Sequence, residues 1–146
     1  MFENMLNILR ENKLNVIDFN DDILLQNSDA IFPNNWVTFH ENNTAIIYPM
    51  MSSSRRNEKR EDILEKLITT YSFNIEKIID LSYLEQEGMF LEGTGSVVFD
   101  RLNKIFFDCL SSRTSFEALE IIDSKSMTAA METANKVVSA YQAPNK

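Results

Sequence analysis

The chain has 146 residues, 44% hydrophobic and 25% charged, with a formal charge of −8 at neutral pH. A domain of that size buries roughly two-thirds of its unfolded surface, and the mix is that of an ordinary globular protein, which excludes a disordered or low-complexity chain. The acidic balance excludes a nucleic-acid partner, because phosphate binding draws on clustered cations and the one basic knot, Arg55, Arg56, Lys59 and Arg60, is interleaved with Glu58, Glu61 and Asp62.

A single cysteine, Cys109, has no partner for an internal disulfide and points to a reducing compartment, here the cytoplasm. The start, MFENMLNILRENK, has Glu3 where a signal peptide carries positive charge. No segment reaches the ~20 apolar residues of a membrane span. A soluble cytoplasmic protein without membrane contact is the expectation.

In chain order, Phe2, Met5, Leu6, Ile8 and Leu9 fall at helical spacing and predict a short amphipathic helix over 2–12. Val16 to Phe19 and Ala30 to Phe32 are brief apolar stretches, the second cut by Pro33. Residues 36–40 and 44–50 are rich in β-formers on either side of Glu41-Asn42-Asn43, which reads as a hairpin. Ile63, Leu64, Leu67, Ile68 and Tyr71 mark a helix over 57–71. Strands follow at 75–81, 97–99 and 105–110, the last two joined by a turn at 100–104.

Thr114 followed by Glu117 predicts a capping box opening a helix over 116–122. Met127, Ala130, Met131, Ala134, Val137, Val138 and Tyr141 then form one helical stripe stopped by Pro144. Two units of about 60 residues, each a strand pair, then a helix, then a strand, predict an α/β (α+β) fold with helices covering sheet. The expected division is a domain over 1–123 and a C-terminal amphipathic helix and tail over 124–146.

Four segments could carry chemistry. Ser28-Asp29-Ala30-Ile31-Phe32-Pro33-Asn34-Asn35-Trp36 sets an acid and two amides beside a large ring; it fits a donor-rich cation, and equally a capped turn. Leu91-Glu92-Gly93-Thr94-Gly95-Ser96 places a Glu against a tight backbone, either as a ligand group or as a turn. It is no phosphate loop, lacking GK[ST]. Arg55 and Arg113, each after a serine run, are planar forks suited to a carboxylate, or simply exposed arginines. His40 has no legible partner, and Cys109, in the run FFDCL, reads as a buried structural thiol; with one His and one Cys no metal site is expected.

Taken together, the strings SDAIFPNNW, YPMMSSSRRNEKR and FLEGTGSVVFDRLNKIFFDCLSSRT resemble the pentein superfamily, in particular dimethylarginine dimethylaminohydrolases and arginine-deiminase-related amidinotransferases. The resemblance covers about residues 14–120 and implies a partial α/β propeller of roughly two ββαβ modules plus an extra C-terminal helix. It implies that Asp29 contacts the amino-acid end of an arginine-like ligand, that Asn35 stands where the dimethylarginine enzymes carry a guanidinium-binding Asp, and that Glu92 holds the guanidinium. Arg55 and Arg113 match the two arginines that grip substrate polar groups. Asn at position 35 departs from the Asp pattern and leaves the guanidino substrate open.

The mechanism implied is attack of a Cys thiolate on the guanidinium carbon, with a His as acid and base and water releasing the product. Neither residue has a counterpart here, since His40 precedes the LEGTG element and Cys109 lies in the second module. No catalytic residue and no cofactor is therefore expected. The expectation is the substrate-recognition half of a guanidine-modifying hydrolase, truncated and inactive alone, with open sheet edges that favour self-association or a complementing chain. The alternatives are a non-catalytic pentein-derived binding or interaction protein, and a gene remnant.

Overall fold

In the computed structural model, residues 2–20, 34–103 and 105–122 and the backbone of 137–139 are described. Helix α1 (Phe2–Glu11) follows the expected stripe and buries Leu6, whereas 16–19 forms no regular element. Strands β1 (Val37–Phe39) and β2 (Thr44–Ile47) form the hairpin, with Val37 opposite Ile47 and Phe39 opposite Ala45. Its turn requires a left-handed residue, and Asn43, at φ 59°, is a side chain that tolerates one.

A single turn, α2 (Ser53–Arg56), precedes α3 (Glu61–Tyr71), whose Leu64 and Leu67 are buried. The helix begins four residues later than its apolar period predicts. Arg56 and Lys59 are drawn to Glu85 instead, and Arg60 to Asp62. Ser72 closes α3 in the left-handed conformation, its N–H donating to the Leu67 carbonyl. Strand β3 (Lys77–Asp80) then returns parallel to β2, with Ile46 beside Ile79.

After a 3-10 turn (Ser82–Glu87) and the one-turn helix α4 (Gly93–Ser96), β4 (Val97–Asp100) and β5 (Ile105–Asp108) pair antiparallel. Helix α5 (116–122) follows, and β6 (Val137–Ser139) runs parallel to β5. Both three-stranded sheets thus share one design, an antiparallel pair with a parallel third strand. The fold is mixed α+β, with two small open sheets.

That last strand corrects the sequence reading. Val137 and Val138 were expected inside a C-terminal amphipathic helix; they instead complete the β5 edge, where β-branched residues suit the pleat and the unpaired backbone of β5 finds partners. The remainder of the expected 124–146 segment lies outside the described residues. The capping box is a second correction: the Thr114 hydroxyl is buried without a hydrogen bond. The Ser115 hydroxyl meets the Phe90 backbone at 3.0 and 3.2 Å instead. Cys109 is exposed rather than buried, lying one residue past the end of β5.

Strand alternation divides the core. Ile46, Tyr48 and Ile79 face a cluster with Leu91, Val97, Phe106, Leu119 and Ile122. On the other side Ile47 joins Trp36, Met50 and Leu64 of α3. Each such fully buried aliphatic side chain contributes on the order of 2 kcal/mol. No helix among the described residues is long and apolar enough to cross a membrane.

One core position is anomalous. Asp108 occupies in the second sheet the register that Ile47 holds in the first, opposite Val97 and beside β6. It is buried, and neither of its oxygens makes a hydrogen bond. Burial raises its carboxyl above the ordinary value of 3.8, opposed more weakly by the nearby Cys109 N–H and Thr114 hydroxyl.

The folded state therefore holds this proton more tightly than the unfolded chain does. Whatever stability Asp108 supports is present in acid and is lost as pH rises through its folded value. Asp108→Val is expected to stabilise the protein by about 1–3 kcal/mol near neutrality. In urea titrations the advantage should grow from the acid range towards neutral pH. An advantage that does not change with pH, or a less stable variant, would show that the carboxyl is satisfied.

Candidate functional site

Glu92 is placed by backbone bonds from three directions. The Leu91 N–H donates to the Pro49 carbonyl at 3.1 Å, and the Glu92 N–H to the Arg113 carbonyl at 3.2 Å. Gly95 and Ser96 donate to the Glu92 carbonyl at 2.8 and 3.0 Å, so the residue starts α4. This sets the side chain inward, with 1% of it exposed.

The segment Asn34-Asn35-Trp36 lies directly against that turn. Thr94 Oγ1 donates to the Asn34 carbonyl at 2.8 Å and to Asn35 Oδ1 at 3.2 Å. Gly93, at φ +25°, passes so near that a Cβ would stand 2.4 Å from the Asn35 carbonyl oxygen. At Gly95 a Cβ would stand 2.5 Å from Asn35 Nδ2. The two glycines are required by close approach, which explains the Gly-Thr-Gly run.

Four polar groups surround the Glu92 carboxylate. Oε1 accepts from the Met51 N–H at 3.2 Å. Oε2 stands 3.5 Å from Asn35 Nδ2, 3.6 Å from Arg55 Nη1 and 3.5 Å from Arg113 Nη1. These three separations exceed the 2.7–3.2 Å of a well-formed N–H···O bond. Oε2 thus has three long contacts and no short one.

Of the sequence-derived residues, Asn35, Arg55, Glu92 and Arg113 converge within one cluster. Asp29 lies outside the described residues. Sequence reasoning missed Glu58, buried and paired with Arg55 Nε and Nη2 at 2.9 and 3.1 Å. It also missed the Met51 N–H. The Arg-x-x-Glu spacing was the available signal for Glu58, but such pairs usually sit on solvated helix faces.

His40 lies apart from this cluster. Its Nε2 meets Thr38 Oγ1 at 2.9 Å, and its ring packs edge-on against Phe99 at 5.4 Å. Burial, and secondarily Arg101, hold its imidazole below the ordinary value of 6.5. Thr38 bridges onward to the hydroxyl of buried Tyr48 at 2.8 Å, whose pKa burial pushes up to about 12. Cys109 Sγ lies 3.8 Å from the Leu110 carbonyl. Among the described residues neither side chain bonds to Glu92.

A separate cleft of about 240 Å³ is lined by Trp36, Arg56, Lys59, Arg60, Leu64 and Ser82, among others. Its cations are already matched, Arg56 and Lys59 by Glu85 and Arg60 by Asp62. Glu92 does not border it. The converging donors and acceptor make the Glu92 cluster, rather than the open cleft, the candidate site.

A family profile described as N,N dimethylarginine dimethylhydrolase, eukaryotic, matches residues 1–138. Among solved structures, a histidine-to-glycine variant of dimethylarginine dimethylaminohydrolase in adduct with S-methyl-L-thiocitrulline superposes with a TM-score of 0.64 at 18% sequence identity. That match takes in 97% of this chain and 50% of the relative, so the chain spans half the relative's length. At that identity the likeness is one of fold. No curated protein matches the chain.

Proposed function

Because the chain belongs to the N,N dimethylarginine dimethylhydrolase family, we propose that its Glu92 cluster receives the guanidinium of an arginine-like small molecule. The carrying observation is the buried carboxylate whose Oε2 meets three donors only at long range, 3.5–3.6 Å. A flat cation with several N–H donors complements it.

Glu92 is shut from solvent, and the half-exposed Arg113 guanidinium lies over it. The ligand's guanidinium takes that place against Glu92. Arg113 then turns to the ligand carboxylate, which its fork fits. Asn35 Oδ1 offers a further acceptor at the head group, Arg55, a donor without acceptors, contacts the ligand's polar groups away from the guanidinium, and Asp29 serves the amino-acid end.

Turnover requires a thiolate and a proton-transfer group at the guanidinium carbon. His40 is hydrogen-bonded to Thr38 and Cys109 is an exposed thiol with no bond to Glu92 among the described residues; in this account the chain recognises its ligand without hydrolysing it alone. The same observation favours the second reading, a non-catalytic pentein-derived binding protein. In this account the two sheets are ββαβ units of a propeller-like array. Val98 and Phe107 face each other across β4 and β5 and are 66% and 42% exposed. That apolar patch favours self-association or a complementing chain.

One preparation tests all three parts. Calorimetric titration should show uptake of L-arginine but not of norleucine, which lacks the guanidinium. No citrulline should form, and sedimentation velocity should show a species larger than a monomer. Equal treatment of the two amino acids removes the ligand assignment, citrulline release removes the inactivity, and a monomer removes the association.

A further inference from the structure

We infer that Glu58 is a positioning residue, which keeps the Arg55 guanidinium from seating on Glu92 by tying it back. This rests on the reading that Glu92 holds a guanidinium. Arg55 lies in the last turn of the short helix α2, and Glu58 follows three residues later with its N–H donating to the Arg55 carbonyl at 3.0 Å. That local turn folds the carboxylate back onto the arginine it follows.

The pairing is two-pronged. Glu58 Oε1 takes Arg55 Nε at 2.9 Å and Oε2 takes Nη2 at 3.1 Å. The Glu58 side chain has no exposed area, while that of Arg55 is 18% exposed. A buried charge of this kind is tolerated only with its partner in place, so the fork is held rigidly. What Arg55 turns towards Glu92 is Nη1, at 3.6 Å.

With its Nη1 already 3.6 Å from Glu92 Oε2, an Arg55 guanidinium released from Glu58 would be free to close onto that carboxylate. A fork seated there would occupy the surface that a ligand guanidinium needs. The two carboxylates therefore compete for one arginine, and Glu58 must win for Glu92 to remain available. Arg55 offers the ligand one N–H, whereas the obstruction would use its whole fork. Losing that contact should cost less than removing the obstruction restores.

Calorimetry with L-arginine tests this on the full chain, comparing wild type with Glu58→Gln, Glu58→Asp and the double variant Arg55→Met/Glu58→Gln. Circular dichroism confirms which of them fold. Glu58→Gln is expected to lose tenfold or more in affinity. Glu58→Asp, which keeps the charge, should stay within threefold of wild type, and the double variant should recover part of the loss because no cation is left to close over Glu92.

The inference is overturned if folded Glu58→Gln binds within threefold of wild type, or if the double variant binds more weakly than Glu58→Gln. Should Glu58→Gln not fold, the double variant, which leaves no buried charge unpaired, carries the test; binding more than tenfold weaker than wild type then counts against the inference. Wild-type protein that takes up no L-arginine defeats the site reading first, and this inference with it.

Discussion

Glu92→Gln is expected to weaken L-arginine binding by at least about 30-fold, because losing one partner of a buried charge pair costs about 2–5 kcal/mol and each 1.4 kcal/mol is a factor of ten. The amide is close in shape but carries no charge, and its NH2 group would turn a donor towards the donors of Arg55, Arg113 and the ligand. The fold should tolerate the change. Arg55 keeps Glu58, and Arg113 is half exposed and able to hydrate. A calorimetric titration with thermal melts as control checks this, and an affinity equal to that of wild type would detach Glu92 from the ligand.

The largest expected loss of stability comes from Gly93→Ala. The added methyl would lie 2.4 Å from a backbone oxygen of Asn35 and 3.0 Å from the Tyr48 ring, at a φ of +25° that side chains rarely adopt. Neither neighbour is a flexible tip that can swing away. Backbone strain and overpacking together should cost about 2–4 kcal/mol. At this chain length that corresponds to a fall of roughly 5–10 °C in melting temperature. A Gly93→Ala melt within about 2 °C of wild type would mean that the turn relaxes away from Asn35.

These two substitutions separate the sources of the site. Glu92 supplies charge, and Gly93 supplies the room in which two strings 50-odd positions apart in sequence meet. Their contact is a matter of shape as well as polarity. Thr94 bonds to Asn34 and Asn35, and Gly93 and Gly95 let the Asn35 backbone and amide lie against the turn.

Much of the scaffold was legible because its signals are local. The period of Leu64 and Leu67 marks α3, and the β-formers flanking Glu41-Asn42-Asn43 mark the first hairpin. Where sequence reading failed, a distant partner decided the outcome. The Met and Ala stripe favours a helix by itself, yet Val137–Ser139 pairs with β5 some 30 positions earlier. Thr114 has the spacing of a cap, but the Leu91 bridge and the Glu92 bond to the Arg113 carbonyl fix that stretch in another geometry.

The site divides in the same way. Asn35, Glu92, Arg55 and Arg113 were singled out from their local strings and from the family those strings resemble. Their convergence depends on the Pro49, Asn35 and Arg113 backbones reaching the Leu91 to Gly95 turn, which no local pattern encodes. Glu58 was hidden because an acid three residues after an arginine usually marks a wet helix face, whereas here the pair is buried.

The most direct test of the central claim is a crystal structure of the chain with Nω,Nω-dimethyl-L-arginine. The account predicts the guanidinium carbon within about 4 Å of the Glu92 carboxylate, with Arg113 moved from Glu92 onto the ligand carboxylate. Ligand bound at the Arg56, Lys59 and Arg60 cleft, or Arg113 still against Glu92 with the ligand elsewhere, would contradict it.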